Sequence, residues 1–219
     1  MQKTAATKKM VTLSMLCAVA YVVMLVSKLL PSVNGFLDFD FKDVVLCMGG
    51  FIFGPMAAAM MAFVVAVLEM LTVSHTGPIG LLMNVVATCS FCCTASLVYK
   101  RHHTMQGAVL GLGCGCLTLT AVMLLWNYWI TPFYQGVPRE TVAAMLVPVF
   151  LPFNLLKGGM NMAATLLLYK PVVSALRKAH LAPPSRSNSR RHLSVGFLLF
   201  ALALLVTCVL LGLVMAGIL

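Results

Sequence analysis

Asn154, Lys157 and Asn161 follow one another at intervals of three and four residues in the stretch LPFNLLKGGMN (151–161), among leucines and methionines. On a helix that spacing puts Asn154 and Lys157 on one face, about a turn apart. An ammonium beside an amide offers N–H donors to a ligand that displays carbonyls or ring acceptors. Pro148 and Pro152 precede them, so the pattern predicts a helix restarting near Phe153, whose unpaired first-turn N–H groups would add further donors. Two plainer readings of Lys157 stay open: it snorkels to the headgroups, or it pairs with Glu69 or an aspartate. Glu69 and Lys157 are the leading intramembrane ionisable candidates, and such groups usually face a cavity or a partner.

The elements that must carry these residues are membrane helices. The chain has 219 residues, of which 61% are hydrophobic and 9% charged, more apolar surface than one soluble core can hide. Apolar runs of about 20 residues are long enough to cross a bilayer. They fall near 10–30, 41–73, 79–99, 105–130, 153–176 and 194–217. The block 41–73 is interrupted by Gly49-Gly50 and by Phe53-Gly54-Pro55, which favours a hairpin over one long helix.

Charge distribution supports the hairpin. With the N-terminal lysines in the cytoplasm and the block folded back, YKRHHT (99–104) and the basic stretch after Leu176 also fall inside, as the positive-inside rule requires. The expected fold is an all-α polytopic membrane protein with a six-helix core over 1–177. A basic, Pro/Ser-rich cytoplasmic linker at 178–193 and an additional membrane helix at 194–219 follow. That last helix carries no charge and reads as a lipid-exposed accessory span. The N-terminal apolar run is too long for a cleaved signal and reads as a retained first helix, with the N-terminus cytoplasmic and the C-terminus extracellular.

Other chemistries find little footing. The net charge of +10 sits in short inter-helix clusters without interleaved aromatics, which argues against nucleic acid. The eight cysteines lie in apolar spans and lack the paired spacing of a metal site. No phosphate-cradling G-x-x-x-x-G-K-[ST] and no catalytic constellation occurs, so the chain reads as neither an ATPase nor another enzyme, without a cofactor. Uphill transport would draw its energy from a partner or an ion gradient.

On this topology the acidic residues Asp38, Asp40, Asp43, Glu69 and Glu140 all fall on the outer half. There they join WNYWITPFY (126–134), with Asn127 and four large aromatics, and SHTGPIGLLMN (74–84), with Gly77, Pro78 and Asn84. The loop at 31–40 adds Phe36 and Phe39. Aromatics converging with amides and a lysine suit a flat, polar heteroaromatic ligand, although aromatics at an interface are more often belt residues.

FLDFDFKDVV, GGFIFGP, TGPIGLLMN, WNYWITPFYQGVPRE and LPFNLLKGGMN together resemble, in order and from about residue 8 to 182, the riboflavin-binding S-components of energy-coupling-factor (ECF) transporters. The resemblance implies a six-helix fold and a vitamin site that opens outward under a loop after the first helix. Asn127, Asn154 and Lys157 match positions that hydrogen-bond the flavin, and Leu37, Asp38 and Tyr128 match positions in the capping loop and at the end of the fifth helix. Glu69 and Asn84 are assigned to the same site. The implied partners are riboflavin, a transmembrane coupling protein and two ATPases that use the ATP. Ser14 and Ala18 have the small-xxx-small spacing of the face that meets the coupling protein, a spacing that ordinary packing inside the bundle would equally explain. The contrasting expectation is a proton-coupled secondary transporter using Glu69 or an aspartate.

Overall fold

The computed structural model describes residues 2–30, 32–33, 37–74, 76–182 and 195–218, with side chains from Ala6 onward. Phe36 and most of the linker expected at 178–193 lie outside the described residues. The helices run in the order α1 (Gln2–Ser27), α2 (Lys42–Phe53), α3 (Pro55–Thr72), α4 (Gly77–Arg101), α5 (Met105–Trp129), α6 (Thr131–Gln135), α7 (Arg139–Met145), α8 (Leu151–Lys178) and α9 (Val195–Met215). A single π turn, Leu146–Phe150, joins α7 to α8. The expected six-helix core is built from α1 to α5 and α8, with α9 as the additional helix.

Among the described residues, six helical segments are long and apolar enough to cross a membrane. The hairpin expected at 41–73 is present as α2 and α3. Gly54 makes the turn between them with φ +96°, a left-handed conformation that side chains resist, and Pro55 starts α3 where its missing N–H costs nothing. At 12 residues, α2 rises only about 18 Å, less than the thickness of a bilayer core.

In lipid, helices associate by close van der Waals fit rather than by hydrophobic drive. Gly111 and Gly115 of α5 press directly on α4: a Cβ at either would stand 2.7 Å from the carbonyl oxygen of Ala95 or Phe91. Thr104 starts α5 by accepting a hydrogen bond from the Gly107 N–H at 3.0 Å. The wall made by α4 and α5 is therefore a backbone-to-backbone contact around the buried Phe91, Leu112 and Leu119.

The sequence pattern predicts a helix restart at Phe153, and the structure corrects this. The chain stays helical from Arg139 to Lys178. Pro148 lies within the π turn, where the Leu151 N–H reaches back to the Leu146 carbonyl, and Pro152 sits in the first turn of α8. A π turn shifts hydrogen bonding by one residue and so accommodates proline's missing donor without a break. At the bundle end away from the acidic residues, Phe51 stacks on Tyr99 with ring centroids 4.4 Å apart, and the Tyr99 and Tyr169 hydroxyls meet at 2.8 Å.

Candidate functional site

A cavity of about 330 Å³ opens where the end of α1, the residues before α2 and the nearby ends of α3, α4, α5 and α8 converge. Seven of the eight ligand-site residues expected from the sequence line it: Leu37, Asp38, Glu69, Asn84, Asn127, Asn154 and Lys157. Tyr128 does not. Its ring lies edge-on to Trp129 and under the Arg139 guanidinium, 5.6 Å from the centroid. Helix α5 ends at Trp129, so the chain turns at Ile130, and it is Tyr134 of α6 that reaches the cavity.

The apolar lining comes from Leu37, Met83, Ala87, Leu119, Met123 and Phe153. Opposed to it are Asn84, Asn127, Asn154 and Lys157. The two buried amides are already oriented by their own helices. Asn127 Nδ2 donates to the Met123 carbonyl at 2.7 Å, and its Oδ1 accepts from the Thr131 hydroxyl at 2.9 Å. Asn154 Nδ2 donates to the Phe150 carbonyl at 2.8 Å. Each amide thus keeps one N–H, and Asn154 also keeps its carbonyl oxygen, so the polar side offers both donors and an acceptor. The free first-turn N–H groups expected from a helix restart are corrected accordingly, because the continuous helix uses its own N–H groups.

Lys157 makes no ion pair within 4.0 Å among the described residues. Of its two plainer readings, the pairing with Glu69 or an aspartate therefore does not hold. Glu69 is instead clasped by Lys42, at 2.6 Å, and approached by Lys28 at 3.5 Å. Lys42 also meets Asp40 at 2.6 Å, and Lys28 meets Asp38 at 2.9 Å. These residues form a connected ionic cluster along one wall, and Lys42 within it is only 2% exposed. Burial alone would raise the Asp40 pKa, yet the charges of Lys42 and Lys157 hold it below the usual carboxylate value. Lys28 is the mirror case: burial would lower its pKa, and the Asp38 carboxylate holds it up.

Sequence reasoning missed Lys42, Lys28, Tyr134 and the structural use of Asn161. Asn161 Nδ2 donates to the Asp40 carbonyl at 2.9 Å, pinning the stretch before α2 to α8. Asp43 accepts a 2.7 Å hydrogen bond from Thr88 and so ties α2 to α4. The alternation of aromatic and charge in FDFKD was the available signal for Lys42, and its partner Glu69 lies 27 positions away. Among the described residues, no cluster of three His, Cys, Asp or Glu side chains could hold a metal.

Ser14 and Ala18 are exposed on α1, while Leu13, Leu16 and Cys17 turn inward. The small-residue face is therefore not used for packing inside the bundle. Met10, Val11, Met15 and Val22 are exposed beside it.

A model of the family described as ECF transporter, substrate-specific component, matches residues 8–169. The riboflavin transporter RibU of Staphylococcus aureus is 29% identical over 177 residues, which cover 78% of this chain and 93% of that protein. The riboflavin transporter RibU of Streptococcus thermophilus is 30% identical over 182 residues, 78% of this chain and 86% of that protein. The solved structure of the S component of a bacterial ECF transporter superposes with a TM-score of 0.67 at 30% identity, covering 78% of this chain and 99% of that one.

Proposed function

Because this chain belongs to the substrate-specific components of ECF transporters, we propose that it captures riboflavin in the cavity between α1, α4, α5 and α8 and delivers it inward. The observation that carries this reading is Lys157, without an ion pair within 4.0 Å among the described residues, beside Asn154 and Asn127 and facing an apolar lining of Leu119, Met123 and Phe153. That pairing suits a tricyclic ring with one greasy side and one edge rich in carbonyl and ring-nitrogen acceptors. The ring lies against the apolar side, and its uracil-like edge accepts from Lys157 and the spare amide N–H groups. The ribityl hydroxyls reach Asp38 and Asn84, with Tyr134 taking the part first given to Tyr128.

Riboflavin enters from the extracellular side, with the N-terminus in the cytoplasm and the end of α9 outside. Energy comes from a transmembrane coupling protein with two cytoplasmic ATPases, which this chain meets through the exposed Ser14 and Ala18 face of α1. The proton-coupled alternative, which would use Glu69 or an aspartate, is the less favoured reading, since Glu69 is closed between Lys42 and Lys28.

Quenching of riboflavin fluorescence by the purified protein tests the site. Loss of a donor to a buried ligand acceptor costs about 1–3 kcal/mol, so Lys157→Ala and Asn154→Ala should each weaken binding roughly ten- to hundredfold. Unchanged quenching in both variants refutes the assignment.

A further inference from the structure

The family match ends at residue 169, and α9 begins at Val195. Three residues of α9 are buried, Ala201, Cys208 and Gly212, at intervals that place them on one face. Cys208 packs on α8, where a Cβ added to Gly159 would stand 3.1 Å from its sulfur. One turn on, Gly212 lies under the ring of Phe39: a Cβ there would stand 3.2 Å from Cζ and 3.3 Å from Cε2. The same ring tilts against Phe153 with centroids 5.1 Å apart and is 6% exposed.

Phe39 sits between Asp38 and Asp40, which both line the cavity, whereas no residue of α9 does. Helix α9 thus touches the back of a cavity wall without touching the cavity. In lipid an apolar ring gains little from leaving its surroundings, so its seat depends on how closely its neighbours fit. A glycine at 212 gives the ring that close seat, and a larger side chain would push it away.

We propose that α9 is a positioning helix for this wall. The Gly212–Phe39 contact holds residues 37–41 in the arrangement in which Leu37, Asp38 and Asp40 enclose the cavity, and it thereby sets how fast bound riboflavin escapes. This rests on the reading of the cavity as the riboflavin site.

The test uses the full chain in lipid nanodiscs with Gly212→Leu, Gly212→Ala and Phe39→Ala, and with Leu211→Phe on the exposed face of α9 as the control. Two quantities are read: riboflavin dissociation by stopped-flow fluorescence, and hydrogen exchange at the amides of Leu37, Phe41 and Lys42. Those amides are held by the Val33 carbonyl, the Ser27 hydroxyl and the Asp40 carboxylate respectively. Gly212→Leu and Phe39→Ala should each speed dissociation about three- to tenfold while association changes less than about twofold. Both should also speed exchange at those amides in the ligand-free protein, with Gly212→Ala intermediate and Leu211→Phe like the wild type. Wild-type dissociation in both Gly212→Leu and Phe39→Ala overturns the proposal, as does faster dissociation with unaltered exchange. Should Gly212→Leu fail to fold, Phe39→Ala and Gly212→Ala decide by the same two readouts. A wild-type protein that does not quench riboflavin would overturn the functional reading instead, and the exchange rates would still judge the contact.

Discussion

Lys42 is held between two carboxylates, Asp40 and Glu69, at 2.6 Å each. Desolvating an ammonium is costly, and removing one partner of a buried pair leaves the other uncompensated, typically at about 3–5 kcal/mol. Lys42→Met should therefore lower the thermal unfolding midpoint sharply, and combining it with Glu69→Gln should recover much of the loss. A midpoint that barely moves in the single variant would show that the cluster contributes nothing to the fold. The same cluster sets a pH window. Asp40 has its pKa depressed in the fold, so its ion pair contributes fully above the unfolded value of about 4 and is lost as pH falls below that. Lys28 has its pKa raised, so its contribution is complete below about 10.4 and fades as pH rises beyond. From these two groups, the melting midpoint should fall as pH drops below about 4 and again as it rises past about 10.4. Single residues were legible where their type was out of place, as with Lys157, Asn154 and Glu69. Lys42 was not, because its partnership with Glu69 depends on how the α2–α3 hairpin closes. Tyr128 was misplaced for a related reason: the direction of a ring near a helix end depends on where the helix stops.

At the scale of elements, glycine decides which contacts are rigid. Gly115 lets α5 lie against the Phe91 carbonyl, one turn from the cavity-lining Leu119. Gly115→Leu should force α4 and α5 apart, costing about 1–3 kcal/mol of overpacking and loosening riboflavin binding together with stability. Unfolding and quenching measured on the same sample check it, and a variant as stable as the wild type would contradict the close approach. The hairpin was legible because Gly54-Pro55 is a turn signal in a run too long for one ordinary crossing. The continuity of α7 and α8 was not. Two prolines in five residues read as a stop, and sequence does not reveal that a widened turn can absorb one of them.

For the whole molecule, the two long faces of the bundle are used differently. Helix α9 covers part of α8, whereas α1 leaves Ser14 and Ala18 bare. Ala18→Trp should abolish ATP-driven uptake into vesicles that contain the full transporter yet leave riboflavin quenching by the isolated protein within about twofold. Loss of both activities, or of neither, would sever α1 from energy coupling. The architecture was readable in outline from span lengths and charge alone, while the packing of α9 behind Phe39 required three-dimensional contacts between segments 173 positions apart. The π turn at Leu146–Phe150 makes spacing, more than composition, the thing that segment must preserve. Each residue of an α-helix advances about 100°. Excising one amino acid there would swing the Arg139 guanidinium, which lies over the Tyr128 ring, out of phase with Asn154 and Lys157, so a single-codon deletion should harm this transporter more than any conservative replacement nearby.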